Sequence, residues 1–141
     1  MSEHLDRGRR ILEAQPFSRL LGTELVSLSP GRAELSLPLR EELRQQYGFA
    51  HGGVLAYLAD NALTFAGGTM LEGRIVTLEM KINYLRPGLG ERLIARAEAI
   101  GAGRSQAVCR CDIVAVDGGV EKLVAAAQGT IAVAPERPGT P

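Results

Sequence analysis

The chain has 141 residues, enough for one domain with a core of its own. With 45% apolar and 23% charged residues it has the balance of a soluble globular protein, and a formal net charge of zero argues against nonspecific nucleic-acid binding, which runs on clustered positive charge. No apolar run approaches the roughly 18 residues of a membrane span, and the opening MSEHLDRGRRILEAQ is charged throughout, so no membrane partner is expected and the cytoplasm is the default location.

In chain order, Leu5 to Ala14 has helical character, with Pro16 stopping it and Phe17 to Leu21 adding a turn before Gly22. Glu24 to Ser29 and Arg32 to Leu39 flank Pro30-Gly31, a turn signal, and form a hairpin. Ala33, Leu35, Leu37 and Leu39 alternate with polar residues and Pro38, which places Pro38 at a strand end or edge. Glu41 to Ala50 is polar and reads as a loop, and Gly52 to about Gly67 is a long helix. In Val76 to Tyr84 every second residue is apolar, the period of a half-buried strand. Arg92 to Ile100, Gln106 to Val116 and Val120 to Val133 are three further strands, separated by Gly-rich turns. The order is α+β, with tightly connected strands that imply an antiparallel sheet covered on one face by the long helix. One domain over 1–141 is expected, with an N-terminal helical segment over 1–16 and a loose tail over 135–141.

The cysteines are spaced Cys109-x-Cys111, so in a strand both point to one face, where neighbours rarely bridge. A metal site would need more Cys or His nearby, and His4 and His51 are the only histidines, so no metal is expected and both cysteines read as small core residues.

The informative stretch is RQQYGFAHGGVLAYLADNALTFAGG, Arg44 to Gly68, where an acid lies two turns inside an otherwise apolar helix. Gly52-Gly53 opens that helix. Its first amides lack intrahelical acceptors, the helix dipole adds partial positive charge, and glycine lets a ligand approach, which suits an oxyanion. Asp60 shares a stripe with Gly53, Ala56, Thr64 and Gly67, all small or polar, while most large residues lie elsewhere. Asp60 is about 12 Å along the axis from Gly52. That is too far for both to serve one small reacting centre easily, so the spacing hints at a site between two subunits. Taken singly, Asp60 reads as a solvated helix residue, His51 as a cap and the Gly pair as a turn; their order raises the combined odds.

QQYGFAHGGVLAYLAD followed by VTLEMKINYLRP resembles the hotdog-fold acyl-CoA thioesterases, nearest the branch of the phenylacetate-pathway (PaaI-type) and 4-hydroxybenzoyl-CoA thioesterases. The likeness covers roughly residues 20–134. It implies a hotdog fold, one long central helix wrapped by an antiparallel sheet of about six strands. It further implies a homodimer whose catalytic sites draw on both chains, assembled into a homotetramer, and no metal or prosthetic group, coenzyme A being part of the substrate. Carried over residue by residue, the family's acid falls on Asp60, its oxyanion amide on Gly52, and its histidine, which helps hold the thioester carbonyl, on His51. Its Asn or Gln six residues earlier falls on Gln45, with Gln46 adjacent, and its water-orienting Ser or Thr falls on Thr77. The implied reaction is thioester hydrolysis, with Asp60 as general base or as nucleophile. Arg86 and Arg104, with Arg74 a third, are the candidates for the coenzyme A phosphates, against an equal expectation of solvated surface arginines. Phe49, Leu55, Tyr57, Leu58 and Leu63 either line an acyl pocket or belong to the core, the core being favoured, and an aryl, arylacetyl or medium-chain acyl group would suit by size.

Two other functions fit the same fold. A non-catalytic acyl-CoA-binding or sensing protein is disfavoured by the presence of Asp60, His51 and Gln45. A hydratase or dehydratase would want a paired Asp-His motif, whereas Asp60 follows His51 by nine residues.

Overall fold

The computed structural model describes residues 2–135. The first helix, α1, runs Ser2–Glu13, three residues earlier than its apolar pattern suggests. Pro16 ends nothing; it opens a second short helix, α2, Pro16–Leu21, where its missing N–H costs no bond. Gly22 closes α2 in the left-handed conformation, φ 85°, with its N–H on the Ser18 carbonyl. Strands β1, Glu24–Ser29, and β2, Arg32–Pro38, form the expected hairpin. The polar loop holds one 3-10 turn, Glu41–Leu43, and an antiparallel bridge between Arg44 and Ala50. The long helix α3 spans Gly52–Gly68. Four strands follow: β3 (Ile75–Tyr84), β4 (Arg92–Ala102), β5 (Gln106–Asp117) and β6 (Val120–Val133). Apart from its first residue, the expected C-terminal tail lies outside the described residues.

All pairings are antiparallel, in the order β1-β2-β4-β5-β6-β3, and α3 packs across β2 to β6. This is the hotdog arrangement, α+β with six strands around one helix. Leu35, Leu37, Leu93, Ile113 and Ile131 of the sheet meet Leu58, Ala59, Ala62 and Leu63 of α3 in a core with almost no exposure. Cys109 and Cys111 sit in that core as free thiols, and burial pushes the Cys109 thiol up to about 11 and the Cys111 thiol up to about 12. Leu55, Leu58 and Leu63, weighed above as pocket walls, are core residues.

β3 departs from its sequence pattern. An unbroken two-residue period would bury Val76, Leu78, Met80, Ile82 and Tyr84 together. The register instead shifts between Thr77 and Glu79, leaving Leu78 as the extra residue of a β-bulge. Beyond the bulge Met80 and Ile82 still turn inward, but before it Ile75 and Thr77 do, while Val76 and Leu78 are exposed. Gly129 permits this, because a Cβ there would lie 2.6 Å from the Glu79 carbonyl oxygen. β3 is also an edge strand, paired on one side only.

Candidate active site

His51 is the N-cap of α3. Its extended backbone turns the chain into the helix and its Nδ1 accepts the Gly53 amide at 2.8 Å. An Nδ1 that accepts leaves the neutral ring's proton on Nε2, at the exposed edge of the imidazole. The His51 carbonyl accepts the Val54 amide at 3.0 Å, and the His51 amide itself donates to the Leu43 carbonyl at 2.9 Å. Of the four amides that a helix start leaves unpaired, three are therefore satisfied. The fourth, Gly52 N–H, has no acceptor among the described residues and carries the positive end of the helix dipole. A Cβ on Gly52 would meet only the Tyr84 ring, at 3.6 Å, an ordinary contact, so the fold does not require glycine there.

Tyr84, which sequence periodicity treats as a core residue, lies beside this helix start and donates to the Gly52 carbonyl at 3.2 Å. Gln45 is close in sequence, but its side-chain oxygen accepts the Tyr47 amide and so closes its own turn, leaving the NH2 group as a free donor. Gln46 is exposed.

Asp60 lies two turns further on, half-buried, on the side of α3 that faces β3. Thr77 donates to Asp60 Oδ1 at 2.6 Å. Thr64, one turn beyond, donates to the Asp60 carbonyl at 2.8 Å and lies 3.3 Å from the Thr77 hydroxyl. The Thr77 contact exists because of the bulge, which turns Thr77 from the outer face of β3 to the helix. The small-residue stripe through Asp60 is open at Gly53, but not at Gly67, which the sheet covers: a Cβ there would lie 3.0 Å from Ile131. Among the described residues no cluster of His, Cys, Asp and Glu has the makings of a metal site.

The structure thus brings Asp60 and Thr77 together, and Gly52, His51 and Tyr84 together, but leaves about 12 Å between the two groups. The arginines divide the same way. Arg86 is exposed just past the Tyr84 end of β3. Arg74 and Arg104 are exposed at the other end, where Arg74 and Ser105 accept the Ala134 and Val133 amides. A strand of ten residues, about 33 Å, separates these ends.

Sequence comparison places this geometry in a family. The profile of the thioesterase superfamily matches residues 47–122, which contain Gly52, Asp60, Thr77 and Tyr84. A 1,4-dihydroxy-2-naphthoyl-CoA hydrolase of Listeria monocytogenes is 32% identical over 119 residues, covering 83% of this chain and 94% of the relative. Human acyl-coenzyme A thioesterase 13 is 32% identical over 108 residues, 74% of this chain and 77% of the relative. A mutant of the phenylacetic acid degradation protein PaaI from Thermus thermophilus superimposes with a TM-score of 0.74 at 36% identity, covering 85% of this chain and 100% of that one. The chain belongs to the thioesterase superfamily.

Proposed function

We propose that this hotdog thioesterase of the PaaI type hydrolyses acyl-CoA thioesters at sites shared between two subunits paired along β3. Its relatives are acyl-CoA thioesterases and hydrolases, and the chain is a thioester hydrolase of the same kind. The observation that carries the mechanism is the separation of a free amide, Gly52, from a carboxylate, Asp60, on one helix beside an unpaired strand edge. A two-fold axis near the middle of β3 sets the Tyr84 end of one strand against the Ile75 end of its partner. Gly52 then faces Asp60 of the partner subunit, and Arg86 shares its end with Arg74 of the partner subunit and Arg104 of the partner subunit, a cluster suited to the coenzyme A phosphates.

In this site the thioester oxygen takes the Gly52 N–H and the His51 Nε2–H. Asp60 of the partner subunit accepts a proton from water, whose oxygen bonds to the thioester carbon. The Thr77 hydroxyl donates to Asp60 and keeps lone pairs for the second hydrogen of that water. The negative charge grows on the oxygen held by Gly52, in a field already in place. As the carbonyl reforms, the C–S bond breaks and the leaving thiolate takes the proton from Asp60. Every group in this scheme is a protein residue, with coenzyme A entering and leaving as part of substrate and product.

The test is release of free coenzyme A from arylacetyl, hydroxybenzoyl and medium-chain thioesters by wild type and two variants. Asp60→Asn removes the base and should lower kcat by about 10² to 10⁴. Gly52→Pro removes the amide proton and adds ring carbons beside it while keeping the helix start, since proline suits the first helical position and His51, at φ −63° and ψ 137°, already has the conformation that precedes proline. It should cost about 10² to 10³. Refolding the two inactive variants together should restore about a quarter of wild-type activity, because half the dimers are mixed and each has one intact site. No recovery would refute the shared site, and turnover undiminished in Asp60→Asn would refute its role as base. Sedimentation of the wild type tests the dimer and the tetramer expected from the resemblance.

A further inference from the structure

Asn61, Thr64, Phe65 and Gly68 recur at helical spacing and form one stripe of α3. That stripe is one wall of a cavity of about 480 Å³, within the size range of ligand pockets. The facing wall is α1, which contributes Gly8 and Ile11. α1 is seated firmly, because a Cβ at Gly8 would lie 2.6 Å from Leu25 and because Arg9 donates to the Leu25 carbonyl at 3.1 Å. Leu71 and Ile75 close the far end.

Two observations connect this cavity to the reaction. First, Thr64 belongs to both, since its hydroxyl bonds to the Asp60 carbonyl at 2.8 Å and its side chain lines the cavity. An acyl group whose carbonyl lies at Asp60 has this opening beside it. Second, Asn61 is only 9% exposed and its NH2 group is engaged by Tyr57 at 3.1 Å, with Gln15 and Ser18 at 3.4 Å. Its side-chain oxygen accepts from no donor among the described residues, yet no fully buried side-chain N or O among them lacks a partner, so that oxygen keeps access to the space that Asn61 lines. The cavity therefore has apolar walls, ionisable side chains at His4, Arg7 and Glu72, and a free acceptor at Asn61 on the α3 wall.

We propose that this cavity is the acyl subsite, that Ile11 of α1 limits the length of acyl group it takes, and that Asn61 selects acyl groups carrying a hydroxyl donor. The proposal rests on the thioesterase assignment above. From Asn61 to Gly68 the stripe runs about 10 Å, the length of eight or nine chain bonds. A medium-length chain or a hydroxylated ring system fills it. A buried acceptor made to pair with a hydroxyl discriminates against the analogue without one, because that analogue leaves the acceptor unpaired.

The experiment uses S-alkyl coenzyme A thioethers, which bind but cannot be hydrolysed, titrated calorimetrically into the full chain. With wild type, Kd should fall by about fourfold per methylene up to about nine chain bonds and then level off. A 4-hydroxyphenethyl thioether should bind about tenfold more tightly than the phenethyl one. Ile11 is 47% exposed, so Ile11→Trp adds bulk at the cavity rim without entering the core, and it should move the levelling point to shorter chains. Asn61→Leu should abolish the hydroxyl preference; should it fail to fold, the wild-type ligand pair still decides the point. A Kd independent of chain length, an unchanged series in Ile11→Trp, or equal affinity for the phenethyl pair would overturn the proposal. Length-dependent binding without turnover of the corresponding thioesters would overturn the hydrolase assignment and leave the subsite standing.

Discussion

Thr77→Val is the sharpest probe of the site, because it removes one hydroxyl and almost nothing else. Thr77 is half-buried on a strand, where valine matches its branched shape and its β preference. Its one strong polar contact is the 2.6 Å bond donated to Asp60. A hydrogen bond to a charged group contributes about 1.5–3 kcal/mol. If that bond orients the carboxylate for the transition state, its loss lowers kcat by about 10- to 100-fold, at about 1.4 kcal/mol per factor of ten. KM should stay within about threefold, since Thr77 touches the base and not the nucleotide. Thr77→Ser keeps the hydroxyl and should keep most of the activity. The assay is coenzyme A release under saturating substrate, with the melting temperature of each variant measured alongside. Turnover of Thr77→Val within twofold of wild type, or equal losses in the Val and Ser variants, would refute the reasoning.

Gly129→Ala tests whether the bulge serves the site: its Cβ would lie 2.6 Å from the Glu79 carbonyl, so it should cost about 1–3 kcal/mol in urea unfolding and also lower kcat by displacing Thr77. Gly52→Ala and Gly53→Ala should separate. The first adds only an ordinary contact to Tyr84 and should keep its melting temperature while losing kcat/KM, whereas the second brings a Cβ to 3.0 Å from His51 Nδ1 and should lose about 0.5–2 kcal/mol of cap stability. The buried thiols predict a pH effect on stability. Cys109 and Cys111 are raised from an ordinary 9.0 to about 11 and about 12, so between those values the unfolded chain ionises while the folded chain holds its protons. Stability should be complete below pH 9 and fall as pH rises above it, by about 1 kcal/mol per thiol at pH 10, and Cys109→Ala with Cys111→Ala should flatten the slope of urea midpoints against pH. For the same reason neither thiol should react with a thiol reagent in the native protein at pH 7.5, which leaves the coenzyme A assay free of background.

Most of the element order was legible in the sequence, because glycine and proline punctuate it and the strands alternate with a two-residue period. The order of residues around His51-Gly52-Gly53 and Asp60 also placed both chemical groups on one helix and set the distance between them, since helical rise is a property of the backbone alone. The resemblance to known thioesterases supplied the roles. Three things required the tertiary structure. Pro16 looked like a stop and is a start, because its missing N–H is harmless only once α2 has a direction. Gly67 looked like part of the open stripe and is buried, because the twisted sheet wraps over the end of α3 at Ile131. Thr77 lay on what periodicity makes the outer face of β3, and a single extra residue, Leu78, turned it to Asp60. Periodicity cannot register such a bulge, since every residue of the stretch obeys the two-residue rule. What decides it is the partner strand, where Gly129 alone leaves room for the Glu79 carbonyl to approach.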